Sequence, residues 1–339
     1  LGKITDGLNI ASKLSAYKIW NGGKVLFSYQ LSRITGKPAH MGLPISISFE
    51  PTTSCNLRCP QCPSGLREFT RDTGMLKDDF FKEVIDEFAP HLAYLTFYFQ
   101  GEPYLNPKFL EMVKYASSQR IYTATSTNAH YLTPDVAKRT VESGLDRLII
   151  SIDGTTQETY SSYRIGGSLD KVLEGAKNVA EWKKKLKSKT PYLIFQFLVV
   201  KANEYQIPQV KALAKEIGID EVRLKTVQIY DYENGNPLIP EQQKYSRYKK
   251  DASGKYAIKN KLLNHCWRMW NSCVITWDGN VVPCCFDKDA SHPMGNIKNQ
   301  SFKELWNNDN YRNFRQALLN SRKGIDICTN CTEGTKVWG

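Results

Sequence analysis

Between residue 43 and residue 230 the apolar positions keep two alternating rhythms. Runs at 45–50, 94–99, 121–125, 147–152, 192–200 and 221–227 are short and mostly apolar, which predicts strands. Stretches at 78–88, 107–117, 134–143, 169–185 and 207–217 place apolar residues every three or four positions, which predicts helices. Thr133-Pro134 and Ser168 supply helix-start chemistry. Strands alternating with helices predict an α/β fold whose parallel sheet is joined by right-handed crossovers. Six such units are too few for a closed eight-stranded barrel. An open barrel or an open doubly wound sheet fits, and either places ligands at the carboxyl ends of its strands.

The flanks differ from this middle. Residues 1–42 read as an amphipathic lead-in with Ile10, Leu14, Tyr17 and Ile19 roughly on one helical face. The expectation is that this face caps one end of the barrel. Residues 231–263 are polar, rich in Tyr, Asn, Lys and Pro, and read as a linker. From 264 to 339 the pattern predicts a small α+β unit. Runs at 274–277 and 280–282 flank Asp278-Gly279, a strong hairpin signal, and helical runs follow at 302–306 and 311–319.

Composition narrows the class. Hydrophobic residues make up 41% of 339, and the mean hydropathy of −0.45 suits an ordinary globular chain. No run reaches the ~18 to 20 apolar residues of a membrane span. The first residues lack the basic-then-apolar pattern of a secretion signal. Basic residues number 46 against 34 acidic, a net charge of +12. That balance suits an anionic partner or substrate. The local run 183–189 reads as a solvated helix end, and with no nucleic-acid motif beside it no nucleic-acid partner is expected.

The nine cysteines fall in two tight groups far apart in sequence. A secreted disulfide scaffold is short and spreads its cysteines. Clustered cysteines in a chain of this size point to metal or iron–sulfur ligation in a reducing compartment, with the cytoplasm as the expected location. The first group, Cys55-Asn-Leu-Arg-Cys59-Pro-Gln-Cys62, follows the first strand with C-x3-C-x2-C spacing. Three close thiolates suit three irons of a [4Fe–4S] cube and leave the fourth iron open for a small molecule. A structural zinc site wants four closed ligands, and no fourth Cys or His lies nearby in sequence.

This loop resembles the signature of the radical S-adenosylmethionine (radical SAM) superfamily. The resemblance implies a partial (β/α)6 TIM-like barrel. It also implies a [4Fe–4S] cluster on Cys55, Cys59 and Cys62 whose open iron binds SAM. There SAM is cleaved to methionine and a 5′-deoxyadenosyl radical that takes hydrogen from substrate. One position departs: the residue before the third cysteine is usually aromatic and here is Gln61. Gln100-Gly101-Glu102-Pro103 resembles the family's Gly-Gly-Glu motif, with Gln100 for the first glycine. By that likeness Glu102 accepts from the methionine amino group, and Gly101 permits close backbone approach. Ser126, Thr127 and Asn128 then contact the methionine portion, and Ser151 and Asp153 the ribose. Arg164 pairs with the SAM carboxylate, a task suited to a guanidinium fork.

The second group comprises Cys266, Cys273, Cys284, Cys285 and a closing Cys328-Thr-Asn-Cys331. A distant pair completed by a CxxC makes a four-thiolate site for zinc or for a second cluster; ligand softness alone does not separate them. The run from Cys266-Trp-Arg-Met-Trp through Trp277-Asp-Gly-Asn-Val-Val-Pro-Cys284-Cys285 to the CxxC resembles a SPASM/twitch domain, which implies an auxiliary [4Fe–4S] cluster. The full form needs more cysteines, so one auxiliary cluster is expected, on Cys266, Cys284, Cys328 and Cys331, with Cys285 in reserve. Cys273 reads as a small buried residue. Asp287 is the candidate base for a substrate proton, although a loop aspartate is also an ordinary turn former.

Together the resemblances imply an oxidoreductase-like enzyme with two [4Fe–4S] clusters, SAM and a reductant such as flavodoxin or ferredoxin. The lead-in is shorter than the peptide-binding module common among peptide modifiers. The expected substrate is therefore a small or sugar-like molecule, with peptide or protein maturation as the alternative. A non-catalytic metal-binding sensor or scaffold is the alternative of another class.

Overall fold

The computed structural model describes residues 2–334. Leu1 and the last five positions of the expected 264–339 unit lie outside the described residues. Two helices, α1 (Gly2–Ser12) and α2 (Ala16–Thr35), precede the first strand. Ser15 separates them, its hydroxyl accepting from Lys18 N as the N-cap of α2. The barrel strands are β1 (Ser46–Phe49), β2 (Tyr94–Phe97), β3 (Tyr122–Thr127), β4 (Arg147–Ser151), β5 (Tyr192–Val199) and β6 (Glu221–Thr226). They pair in parallel in chain order, an open barrel of six strands whose first five are each followed by a helix.

The covering helices follow their apolar spacing. A single turn, α3 (Pro63–Leu66), is followed by α4 (Asp78–Phe88), α5 (Phe109–Ser118), α6 (Pro134–Glu142), α7 (Gln157–Tyr163), α8 (Leu169–Lys185) and α9 (Ile207–Ile217). In α4, Phe81, Val84, Ile85 and Phe88 form the buried face. Thr133 and Ser168 cap α6 and α8, with Pro134 at the first helical position of α6. Helix α7, which the apolar spacing did not predict, starts at the Thr156 cap and ends where it presents Arg164.

The lead-in caps the barrel, but through polar groups. Asp6 receives Tyr122 Oη and Arg147, and Asp146 receives Asn9 Nδ2 at 2.8 Å and Lys13. These partners sit at the amino ends of β3 and β4, opposite the end expected to bind ligands. The expected apolar face is not what is buried: Tyr17 and Ile19 are exposed, while Lys18 and Asn21 are buried. The amino ends of the strands carry Tyr122, Asp146 and Arg147, and a polar floor selects polar partners.

The expected linker is a folded buttress. It carries the hairpin β7 (Tyr248–Lys250) and β8 (Tyr256–Ile258). Tyr232 stacks on the buried Tyr248 at 4.4 Å, and Tyr248 Oη accepts from Ile229 N and donates to Asn330 Oδ1. This joins the end of β6 to the CxxC segment.

The C-terminal unit contains α10 (Arg268–Asn271), β9 (Ser272–Ile275), β10 (Asn280–Val282), β11 (Gly295–Asn296), α11 (Phe302–Trp306), α12 (Asp309–Ser321) and α13 (Asp326–Thr329). The predicted hairpin is present as β9 and β10. It also does something the sequence did not foretell: β9 pairs in parallel with β1 over Ser46–Phe49, which joins the hairpin to the barrel in one nine-stranded sheet. The N-terminal helix α2 closes the same joint, with Tyr29 packed against Trp267 and Trp270.

Candidate active site

The cysteine loop leaves β1 at the carboxyl end of the sheet. It is pinned by Thr52 Oγ1, which donates to Gly74 O at 3.1 Å, and by Thr53 Oγ1, which accepts from Gly74 N at 3.0 Å. Gly101 has φ 73°, and a Cβ there would stand 2.2 Å from Thr52 O, so only glycine lets the two loops meet. Cys55, Cys59 and Cys62 border one cavity of about 210 Å³, shared with residues from the ends of β2, β3, β4 and β5. Burial pushes the Cys55 thiol up to about 11. Cys59 is also pushed up by burial, against the pull of Arg164, whose Nη1 stands 3.7 Å from its Sγ. Metal binding here must displace thiol protons.

Glu102 is the most constrained carboxylate on this wall. Thr127 Oγ1 donates to one oxygen at 2.7 Å and Asn128 N to the other at 2.7 Å. Burial still lifts it to about 7. Gln100 Oε1 accepts from Ser64 Oγ at 3.3 Å, and Ser126 and Ser151 line the cavity directly. Asn128 Nδ2 donates to Asn56 Oδ1 at 2.7 Å, bracing the cysteine loop.

Asp153 is not on the cavity wall. It is fully buried behind Arg164, ion-paired to that residue's Nε, and its other oxygen accepts from Leu198 N at 2.7 Å. Its two oxygens are thus engaged by Arg164 and the β5 backbone, and it fixes the position of Arg164. Gln61, at the position that departs from the family pattern, accepts from Tyr230 N at 3.1 Å and ties the loop to the end of the barrel.

Apart from Cys273, the second cysteine group comes from three segments, carrying Cys266, Cys284–Cys285 and Cys328–Cys331. Burial pushes Cys284 up, and Cys285, Cys266 and Cys331 add to the push. Cys328 and Cys331 are likewise raised by burial and by Cys266 nearby. Arg322, buried, donates from Nη2 to Cys331 Sγ at 3.1 Å and to Glu333 O at 2.8 Å. A cation at this spot favours thiolates. Cys273 is a buried strand residue of β9 beside Tyr311, away from that set.

Asp287, the expected base, is held in a network of its own turn. Its Oδ1 accepts from Ser291 N and Ser291 Oγ, each at 2.8 Å, and its Oδ2 from His292 N at 2.9 Å. It is 1% exposed. The carboxylate holds the 287–292 turn and also borders a cavity of about 430 Å³.

Comparison with known proteins agrees with this geometry. Residues 49–195 match the radical SAM superfamily, and residues 266–332 match the SPASM iron–sulfur cluster-binding domain. The chain is a radical SAM enzyme with a C-terminal SPASM domain. It is 25% identical over 313 residues to the tungsten-containing aldehyde ferredoxin oxidoreductase cofactor-modifying protein of Pyrococcus furiosus, covering 84% of this chain and 86% of that one. It is 26% identical to the PqqA peptide cyclase of Gluconobacter oxydans, covering 87% and 85%. Among solved structures, BtrN in complex with AdoMet and 2-DOIA shares the fold with TM-score 0.53 at 19% identity, over 86% of this chain and 94% of that one.

A radical SAM domain binds a [4Fe–4S] cluster and SAM, and a SPASM domain binds a further iron–sulfur cluster. Buried thiols around a cavity, a guanidinium and a fixed carboxylate are a donor set that fits the first pair. Sequence reasoning on this enzyme missed four residues. Tyr98 lines the cavity beside Cys62. Gln196 reaches the cavity from β5. Arg322 backs the second group. Lys288 lies over the Tyr230 ring at 4.8 Å and lines a neighbouring cavity of about 430 Å³. The alternation of β2 and β5 was a usable signal for Tyr98 and Gln196. Nothing in the sequence marks Lys288 or Arg322, whose places depend on loops meeting across the fold.

Proposed function

We propose that this enzyme oxidises a small, anionic substrate held between the barrel and the SPASM domain. When bound, SAM and the clusters supply a 5′-deoxyadenosyl radical that takes a hydrogen atom from substrate and an acceptor for the electron left behind. Cys55, Cys59 and Cys62 hold the first cluster. Glu102 receives the methionine ammonium and Arg164, aimed by Asp153, its carboxylate. Thr127 and Asn128 act through Glu102; Gly101, Ser126 and Ser151 face the same ligand.

The observation that carries the oxidative reading is the second cysteine set. Cys266, Cys284, Cys328 and Cys331, with Arg322 Nη2 standing 3.1 Å from Cys331 Sγ, offer four thiolates, enough to close a cluster without a substrate ligand. A closed cluster suits electron acceptance. Cys285 is left over from that set and packs beside Phe99, Val274 and Val282. Lys288 supports the anionic substrate: among the described residues its ammonium has a ring but no carboxylate partner, since Asp287 holds its own turn and Asp289 accepts from Thr70. Nine free cysteines suit a reducing, cytoplasmic setting with flavodoxin or ferredoxin as electron donor.

The test is anaerobic. The protein with SAM and reductant is expected to form 5′-deoxyadenosine, and the dialysable anionic fraction of a cell extract is expected to raise that yield. No 5′-deoxyadenosine from iron-replete protein sinks the radical reading. Stimulation by the peptide fraction alone turns the assignment to peptide maturation, the reading favoured by the likeness to a PqqA peptide cyclase. Iron content is expected to fall from about eight to about four per chain in Cys328→Ala/Cys331→Ala.

A further inference from the structure

Helix α2 is built inside out. Its buried face carries Lys18, Asn21, Ser28 and Ser32 beside Val25 and Tyr29. A neighbouring face presents Tyr17, Trp20, Phe27 and Ile34, at steps of three and seven residues, the spacing of one helical stripe. Trp20 is 66% exposed, Phe27 60% and Ile34 83%. Half-exposed Lys24 and Leu31 fill the remaining positions of that stripe. On α1, Ile4 and Leu8 are also exposed, one turn apart. Apolar stripes of this kind mark an interaction surface, because scattered exposure does not repeat at a helical period.

Charge decides the occupant. From residue 7 to residue 49 there is no Asp or Glu, while Lys24, Arg33 and Lys37 lie along or beside the stripe. A second copy docked through the same face would bring these cations together. A bilayer surface with anionic headgroups receives both features: rings and alkyl groups enter the acyl boundary, and ammonium groups meet phosphate. No described helix is long and apolar enough to cross a bilayer, so the contact lies along the surface. We propose that α2 docks the enzyme on an anionic lipid surface through Tyr17, Trp20, Phe27 and Ile34. Helix α1 packs at the amino ends of the strands, so this docking leaves the carboxyl-end cavity open to substrate.

Vesicle co-sedimentation of the iron-replete protein tests this. Vesicles of phosphatidylglycerol and phosphatidylcholine are expected to carry the protein down, pure phosphatidylcholine much less, and added salt to weaken binding. Trp20→Ser/Phe27→Ser/Ile34→Ser is expected to lower binding by about a hundredfold. The three substituted side chains are exposed and take no part in the Tyr29 joint with Trp267 and Trp270, so iron content and 5′-deoxyadenosine yield are expected to stay unchanged. Equal sedimentation of parent and variant overturns the proposal, as does absence of binding to anionic vesicles. A parent dimer in analytical ultracentrifugation that becomes monomeric in the variant also overturns it and assigns the stripe to a second copy.

Discussion

Glu102 shows how one residue sets a condition on the whole reaction. Burial raises it to about 7 despite donors from Asn128, Thr127 and Tyr104. Only the carboxylate accepts from an ammonium, so protonation opposes SAM. Affinity for SAM is therefore expected to fall as pH drops through about 7, and Glu102→Gln to weaken binding at pH 8 and remove that dependence; calorimetry on iron-replete protein reads both. Gly101 is the other residue whose chemistry is fixed by space. In Gly101→Ala the new carbon meets Thr52 O, and φ 73° is strained for alanine. The expected result is a loss of about 1–3 kcal/mol of stability, read by denaturant midpoint, together with weaker SAM binding.

At the scale of elements, periodicity was an accurate guide wherever one face met a continuous core. Helices α4, α8, α9 and α11 have the predicted bounds, and the six barrel strands agree to within a residue or two. It failed where packing is polar or short. Helix α7 is seven residues of mostly polar character, and α1 and α2 bury charged and amide groups against a polar floor. The β1–β9 pairing is likewise silent in sequence, since a hairpin signal fixes its own two strands and not the third. The candidate site divides the same way. Cysteine spacing and the Glu102 loop were legible because they are local. The occupation of Asp287 and the place of Asp153 were not, because each depends on partners elsewhere. One inter-element clamp is measurable. Arg71 donates to both oxygens of buried Glu50, which also accepts from Trp277 N at the hairpin tip. Arg71→Met leaves an unpaired buried carboxylate and is expected to cost about 3–5 kcal/mol at pH 8. Burial already raises Glu50, and loss of Arg71 raises it further. Stability lost by this route returns as the carboxyl takes up a proton, so the deficit is expected to shrink at pH 5.

Across the whole molecule, barrel and SPASM domain share a sheet and an aromatic joint. Tyr29 of α2, Trp267 and Trp270 are buried together, and Tyr29 Oη meets His265 Nδ1 at 2.8 Å. Tyr29→Ala is expected to cost about 3–5 kcal/mol, by analogy with large-to-small changes of buried aromatics, and to lower the unfolding midpoint of both parts together in a single transition. Separate transitions would show that the domains are energetically independent. The shared sheet also bears on how the protein is made. Strand β1 is interior in the finished fold, yet its second neighbour, β9, lies near the far end of the chain. During synthesis the nascent barrel therefore carries a bare edge beside three unligated thiols, open to neighbouring chains, until the last quarter emerges.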